Sequence, residues 1–159
     1  MDRRGKKDAT RFATWPLAAR VEGMRRATTE RVLHMGDCIV STRTSTQQCP
    51  QLNLTWQGHK YQAMCKHFAL IGTGCLANHW YDDASHLCGN RFCVNPSHLI
   101  WELPWDNMSR QGCHCYGHWS SGQCPHHPPC LPKPDMDHVM ATLRDHDSRP
   151  TVHRSRGRR

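Results

Sequence analysis

The sequence predicts a small α+β domain that bound zinc holds together in place of a large apolar core. Apolar residues make up only 37% of the 159 residues, and the mean hydropathy is −0.75. Ten Cys and thirteen His are present, and short segments with strand and helix patterns follow one another along the chain. A chain of about one domain with so little apolar surface usually needs disulfides, metal ions or a partner subunit.

The histidines favour metal over disulfides, because imidazole and thiolate are the ligands of closed zinc sites. The first residues, MDRRGKKDATR, are charged and lead into no apolar segment of the kind found in signal peptides. No stretch of the sequence is long and apolar enough for a membrane span. We therefore expect an intracellular, reducing compartment, in which thiols stay free to bind zinc.

The positive charge is concentrated at the two ends of the chain. The net charge is +8 and the isoelectric point is about 9.2. Residues 1–37 hold nine Lys and Arg against five acids, residues 38–130 five against four, and residues 131–159 seven against four. Basic ends on a nearly neutral middle favour contact with a polyanion such as a phosphate backbone. A solvated tail is the alternative for residues 149–159.

The first half of the chain predicts one helix and two or three strands. Residues 1–13 are expected to be disordered. A ragged 3.6-residue period with Pro16 in the first turn predicts a helix over residues 16–33. The β-branched segment CIVSTRT (38–44) and the alternating QLNLTW (51–56) predict strands. Residues 59–68 fit a third strand or a short helix.

The second half predicts less regular structure. We expect a turn at residues 71–74, and no regular element over 84–97, because turn-forming residues crowd that segment. Alternation predicts a strand over 98–103, followed by one or two helical turns over 104–112. Residues 113–134 are expected to form a loop, and residues 135–145 a short helix. Such long irregular stretches are viable in a compact domain if metal organises them.

A first group of metal ligands is Cys88-x4-Cys93-x4-His98, three residues on a turn-rich segment. A tetrahedral structural zinc needs a fourth ligand. The nearby His86 is one choice. The distant Cys38, or after it Cys49, is the other.

A second group supplies a complete Cys3His set, the complement of a closed zinc site, from Cys113, Cys124, His126 and Cys130. Several neighbours are near enough in sequence to substitute for one of these: Cys115, His114, His118 and His127. For both groups the alternative is disulfides or free thiols, and the interleaved histidines favour zinc.

If Cys38 completes the first site, His86 is left over as a candidate general base. Asn107 stands at the start of the predicted helix, and its amide oxygen suits a Mg²⁺ ion that also binds a substrate phosphate. His86 would then deprotonate a water that attacks phosphorus. Lys60 and His59, with Arg110 as a third choice, are candidates for a contact to the phosphate. The simpler interpretations are that His86 is a zinc ligand, Asn107 a helix cap and Lys60 a solvated strand charge.

The predicted strands at about 38–44 and 51–63 carry side chains of the types that contact DNA grooves. These candidate DNA-binding residues are Arg43, Thr44, Gln47, Gln48, Asn53, Gln57 and Lys60. An ordinary polar strand face is the alternative for each of them.

Three segments together resemble the His-Cys box homing endonucleases, a branch of the ββα-metal (His-Me finger) nucleases. They are SHLCGNRFCVNPSHL, the N-x5-C from Asn107 to Cys113, and the C-x-H-x3-C from Cys124 to Cys130. The resemblance covers residues 84–130 well. It implies a small zinc-stapled ββα-metal fold with an antiparallel DNA-binding sheet and little regular core.

The resemblance also implies roles for individual residues. His86 is the expected general base and Asn107 the expected ligand of one catalytic Mg²⁺ ion. Two structural zinc ions per chain are expected, and their implied ligands are Cys38, Cys88, Cys93 and His98 for the first, and Cys113, Cys124, His126 and Cys130 for the second. The arginine that members place near the scissile phosphate has no clean counterpart, and Lys60 or His59 falls closest.

Members of this family, typified by an intron-encoded enzyme, resemble one another as homodimers that cut both strands of a long, near-palindromic DNA site. We therefore expect a nuclear, site-specific, Mg²⁺-dependent DNA endonuclease. Its domain would span residues 14–134, between a basic N-terminus (1–13) and a basic C-terminal tail (135–159) with a role in dimer or DNA contact. The alternative is a non-cleaving, zinc-stabilised DNA-binding protein on the same scaffold.

Overall fold

The computed structural model describes residues 8–43 and 48–148. A short 3-10 helix, Ala9–Thr14, comes first, so residues 8–13 are ordered where disorder was expected. The elements that follow, in chain order, are α1 (Leu17–Thr29), β1 (Val32–Met35), β2 (Cys38–Ser41), β3 (Gln51–Trp56), β4 (His59–Met64), α2 (Cys65–Gly72), β5 (Asp83–His86), β6 (Leu99–Glu102), α3 (Pro104–Tyr116) and α4 (Met136–Ser148). A second 3-10 turn, Pro96–His98, leads into β6. This mixture of helices and small antiparallel sheets confirms the predicted α+β class.

The strands pair in chain order into three separate two-stranded antiparallel sheets, β1–β2, β3–β4 and β5–β6. The β3–β4 hairpin turns at Gln57 and Gly58, and both have positive φ. A two-residue turn with positive φ at both positions matches the twist of the flanking strands, which explains the regular pairing from Gln51↔Met64 to Trp56↔His59. In the β5–β6 sheet His86 lies opposite Leu99.

The larger apolar core lies in the N-terminal half, where α1 and α2 pack against the β3–β4 hairpin. Leu52 and Leu54 alternate with exposed residues along β3 and point into this core. The two helices approach closely at two glycines. A Cβ atom at Gly23 would overlap the ring of Phe68, and one at Gly72 would overlap Met24. The core therefore depends on the absence of a side chain at these crossings.

Replacing Gly23 by Ala is expected to lower the free energy of unfolding by about 1–3 kcal/mol, because the added methyl group forces Phe68 out of its place. Urea denaturation of the zinc-loaded protein measures the change. Gly112→Ala on α3 is the matched control, since a Cβ atom there meets nothing within 4 Å. That substitution is expected to raise stability by up to about 1 kcal/mol through helix propensity. Equal shifts for the two variants would contradict the close helix crossing.

A second cluster joins β2 to the segment that follows β5 and to α4. Its buried apolar side chains come from β2, from residues 88–93 and from α4, which contributes Val139 and Leu143. Two backbone hydrogen bonds fix this segment on β2: Ser41 N–H donates to Phe92 O at 2.9 Å, and Val94 N–H donates to Ile39 O at 2.7 Å. These contacts bring Cys38 of β2 next to Cys88 and Cys93, although they are far apart in the sequence.

Several element boundaries differ from the predictions. The helix predicted over 16–33 ends at Thr29. The backbone is extended at Glu30 and has a positive φ at Arg31, and β1 begins at the next residue. The strand over 38–44 ends at Ser41, and Thr44 and Gln47 lie outside the described residues. The expectation of no regular element over 84–97 is wrong at both ends, since β5 and the Pro96–His98 turn occupy them.

Two further boundaries shift by a few residues. Helix α2 extends through the turn expected at 71–74 as far as Gly72, and α3 extends beyond residue 112 to Tyr116. Within residues 8–43 and 48–148, none of the helices has the length and apolar character required to cross a bilayer.

Candidate metal centres and active-site cleft

The first metal centre consists of Cys38, Cys88, Cys93 and His98, all four of them buried. Their ligand atoms lie within 4.8 Å of one another. Strand β2 supplies Cys38, and the segment between β5 and β6 supplies the other three. Cys49 and His86, the alternatives for the fourth position, are not part of this cluster.

The distances in this centre fit a tetrahedral zinc ion. Cys38 Sγ lies 3.7 Å from both Cys88 Sγ and His98 Nδ1, and Cys93 Sγ lies 3.6 Å from His98 Nδ1. With Zn–S and Zn–N bonds of about 2.3 and 2.0 Å, neighbouring ligand atoms of a tetrahedron are separated by about 3.5–3.8 Å. The donor set and its spacing therefore match zinc.

Hydrogen bonding among the crowded thiols shifts their pKa values in opposite directions. The hydrogen bond from Cys88 lowers the pKa of the Cys38 thiol to about 2. The same hydrogen bond raises the pKa of Cys88 to about 12. Several thiolates cannot share such a small buried volume without a cation between them, whereas a divalent ion binds each sulfur in its deprotonated form.

The second metal centre consists of Cys113, Cys124, His126 and Cys130, again within 4.8 Å of one another. His126 Nδ1 lies 3.4 Å from Cys124 Sγ and 3.5 Å from Cys130 Sγ. The other ring nitrogen of His126, Nε2, lies 2.9 Å from Ser109 Oγ on α3, a contact that orients the imidazole toward the metal.

The neighbours that the sequence left as alternatives lie outside the second centre. Cys115 is exposed on α3, and His114, His118 and His127 are not part of the cluster. The two Cys3His clusters are thus two zinc sites, as the ligand spacing predicts, and neither contains a disulfide.

Cys113→Ser is expected to reduce the zinc content from two ions to one per chain, because only Cys113 contributes a ligand from α3 to the second centre. Cys115→Ser is the matched control two residues away, and it is expected to retain both ions. Atomic absorption of the purified, gel-filtered variants measures the content. The opposite ranking would assign the ligand to Cys115.

Strands β5 and β6 and helix α3 form a ββα unit that brings His86 and Asn107 close together. His86 is the last residue of β5, and Asn107 lies in the first turn of α3. The hydroxyl of Ser85, next to His86, donates a hydrogen bond of 2.9 Å to Asn107 Oδ1. Both His86 and Asn107 line a single cleft with a volume of about 580 Å³.

The first zinc centre orients the imidazole of His86. Its Nε2 donates to the carbonyl oxygen of Cys93, a zinc ligand, at 3.1 Å. This bond fixes the tautomer with the proton on Nε2, and Nδ1 has no hydrogen bond to the described part of the chain. Burial, aided by the nearby charge of Lys66, lowers the pKa of His86 to about 3. The ring is therefore neutral at neutral pH, with Nδ1 able to accept a proton.

The lining of the cleft is rich in cationic side chains, of which Arg110 is paired with Glu102. Four cationic residues line it, namely Lys66, Arg91, Arg110 and Lys133, and no Asp or Glu of the described ranges does. Lys66 lies at the start of α2 and donates through Nζ to the carbonyl of Ala84 at 2.7 Å. Such a cleft suits an anionic substrate.

Lys60 and His59, expected beside the phosphate, lie elsewhere. Both are exposed at the turn end of β4, and neither lines the cleft. Lys66, six residues after Lys60 and near the start of α2, lines the cleft instead. The sequence did not identify Lys66, because residues 59–68 fitted either a strand or a helix. Lys66 lies beside His86 only because the chain changes from β4 to α2 at Cys65.

The candidate DNA-binding residues fall into two groups. Asn53, Gln57 and Lys60 are exposed on the β3–β4 hairpin, where Asn53 pairs with Gln62 and Thr55 with Lys60 on the outer face. Arg43 is mostly buried, and its guanidinium contacts Glu30 at 3.1 Å. Gln48 is exposed between β2 and β3, next to the undescribed residues 44–47.

Comparison with known proteins agrees with this geometry. Residues 73–138 match the family model described as the zinc-binding loop region of homing endonuclease. No curated protein and no solved structure matches the chain. The matched segment contains the ββα unit and every ligand of the two centres except Cys38. This segment, less than half of the chain, is therefore similar to the zinc-binding loop region of homing endonucleases, in agreement with the resemblance that the spacing of the cysteines and histidines indicates.

Proposed function

We propose that the protein is a site-specific, Mg²⁺-dependent endonuclease that hydrolyses double-stranded DNA. The observation that carries this proposal is the placement of His86 and Asn107 in one cationic cleft, with Nε2 of His86 fixed on the carbonyl of Cys93. The similarity of residues 73–138 to the zinc-binding loop region of homing endonuclease supports a nuclease or DNA-binding role at the coarser level. A protein that only binds DNA has no need of an oriented, neutral imidazole beside a phosphate-binding surface.

His86 acts as the general base in this proposal. Its Nδ1 accepts a proton from a water molecule as the water oxygen attacks the phosphorus. The hydrogen bond from Nε2 to Cys93 O keeps the ring in the required tautomer and stabilises the imidazolium that forms. Lys66 and Lys133 lie along the same cleft and bind phosphate oxygens of the strand.

Asn107 would hold the magnesium ion through its amide oxygen, which Ser85 already orients. An amide oxygen is a hard ligand, and it fits an ion that keeps most of its waters and shares a substrate phosphate. When bound there, the ion would neutralise charge on the phosphate and on the leaving 3′-oxygen. Asn107 and Ser85 together therefore set where the scissile phosphate lies relative to His86.

The exposed face of the β3–β4 hairpin is proposed to read bases in the major groove. Asn53, Gln57 and Lys60 offer amide and ammonium groups of the kind that pair with adenine and guanine edges. The oligomer proposed is a homodimer on a near-palindromic site, acting in the nucleus, where reduced thiols and DNA coexist. Phosphate contacts by the basic residues are expected to make binding weaken steeply as salt rises, and salt-independent binding would oppose any DNA role.

A non-cleaving DNA-binding protein is the second candidate. Two observations favour it: Asn107 Oδ1 already accepts a hydrogen bond from Ser85, and neither Lys60 nor His59 reaches the cleft. Because a carbonyl oxygen has two lone pairs, the Ser85 contact leaves room for a metal ion. Lys66 supplies the missing positive charge.

Incubation of the zinc-loaded chain with a plasmid pool that includes ribosomal DNA distinguishes the two candidates. The endonuclease is expected to produce double-strand ends at one recurrent sequence with Mg²⁺ and none without it. Sequencing of the ends reports the site and the stagger. Recurrent, salt-sensitive binding without ends at any Mg²⁺ concentration would make the protein a DNA-binding module.

A further inference from the structure

Arg110 is nearly inaccessible to solvent, at 2% exposed, although it is fully charged and borders the cleft. We propose that Arg110 is a positioning residue that couples the second metal centre to Asn107, in a proposal that rests on the endonuclease function. The guanidinium contacts three residues at once, namely Glu102, Pro128 and Cys130.

The first contact neutralises the charge of Arg110. Its Nε donates to both carboxylate oxygens of Glu102, at 2.9 and 2.8 Å, and both side chains are buried. Glu102 ends β6 and lies opposite Asp83 of β5. The pair therefore fixes α3 on the β5–β6 sheet. A guanidinium so engaged is not free to bind a phosphate, which removes Arg110 as a candidate for that role.

The second and third contacts reach the second metal centre. Arg110 Nη1 donates to the carbonyl oxygen of Pro128 at 2.8 Å and lies 3.6 Å from Cys130 Sγ. The preceding residue, Ser109, contacts Nε2 of His126. Two successive residues of α3 thus touch ligands of this centre, and a donor to a metal-bound thiolate tunes and orients that ligand.

Asn107 lies one helical turn before Arg110, on the same side of α3. Its only side-chain hydrogen bond to the described chain comes from Ser85. Cys113, one turn after Arg110, is itself a ligand of the second centre. The position of the Asn107 amide therefore depends on the position of α3. Arg110 fixes α3 relative to the β5–β6 sheet and to the metal loop, the segment 124–130 that carries three ligands of the second centre.

The decisive variant replaces both partners, Arg110→Met with Glu102→Leu. Removing Arg110 alone would leave a buried, unpaired carboxylate and endanger the fold, whereas exchanging both for apolar groups of similar size is often neutral for stability. Arg110→Lys retains the charge but cannot bridge Glu102 and Pro128 together, so an intermediate effect is expected. Arg144→Met, on the exposed side of α4, is the matched control.

Two measurements on the full, zinc-loaded chain test the proposal. The side-chain ¹⁵N amide resonance of Asn107, assigned by its loss in Asn107→Asp, is expected to move in the double variant and stay in place in Arg144→Met. The Mg²⁺ concentration for half-maximal cleavage is expected to rise about tenfold, as is common when a residue behind a metal ligand is lost. The zinc content is expected to stay at two.

An unmoved Asn107 resonance would overturn the proposal, and so would an unchanged Mg²⁺ requirement in an active double variant. Loss of the second zinc would also overturn it, by giving Arg110 a purely structural role in that loop. If the unmodified protein cuts no DNA, the endonuclease function fails. The resonance and the zinc content then still decide whether Arg110 couples the metal loop to Asn107.

Discussion

His86→Ala is expected to lower the single-turnover rate of DNA cleavage by about 10²- to 10⁴-fold, the usual contribution of a general base. Zinc content and DNA affinity are expected to remain unchanged. His86 lies outside both metal clusters, and within residues 8–43 and 48–148 its ring nitrogen Nε2 donates a hydrogen bond to the carbonyl oxygen of Cys93 alone. The substitution would therefore remove the proposed proton acceptor while leaving both sets of zinc ligands and the β3–β4 hairpin intact.

Rapid-quench cleavage, gel-shift binding and metal analysis of the same preparation test this expectation. His138→Ala, at an exposed position on α4, is the control for loss of an imidazole as such. If His86→Ala lost one zinc ion together with binding, His86 would have to be a ligand of the first centre. Full activity in the variant would refute the assignment of the base.

Cys38→Ala is expected to remove the first zinc and to unfold the region built around it. Binding of structural zinc contributes about 10–16 kcal/mol in small zinc-dependent folds, which exceeds the net stability of most domains. The side chains around this centre come from β2, residues 88–93 and α4, so all three depend on it. Cys49→Ala is the matched control and is expected to keep both zinc ions and the native circular dichroism spectrum.

The N-terminal core responds differently in the same experiment. It contains aromatic and aliphatic side chains of α1, α2 and β3 and no zinc ligand. Partial helical signal is therefore expected to survive in Cys38→Ala, with protection of α1 and α2 in hydrogen exchange. Complete loss of protection there would mean that the two clusters form one cooperative unit.

The features that the sequence predicted well depend on residues that lie close together in the chain. Cys113, Cys124, His126 and Cys130 lie close together in the chain, and their spacing alone suggests one metal centre. Strand β3 also follows from local alternation over residues 51–56, whereas its partner β4 lies in the segment 59–68 that fitted either a strand or a helix. Tertiary pairing decided the rest. Strand β5 exists because it pairs with β6, although its own composition suggests a turn.

Charged side chains were the least predictable part of the site. Lys60 and Lys66 are six residues apart, and the sequence offers no reason to prefer the second until α2 is known to start at Cys65. Arg110 looks like a phosphate ligand until its carboxylate partner eight residues earlier is seen. Ion pairs between adjoining elements are invisible to periodicity, because a single contact carries no repeat.

Cys38 lies on β2, ahead of the segment 73–138 that matches the family. A fragment of residues 73–138 would contain all four ligands of the second metal centre but only three of the four ligands of the first. The matched segment is therefore not self-sufficient, because the first metal centre is complete only when β2 is present with it. Because Cys38 Sγ completes the first metal centre, any truncation or fusion that separates the two halves of the polypeptide disrupts this centre.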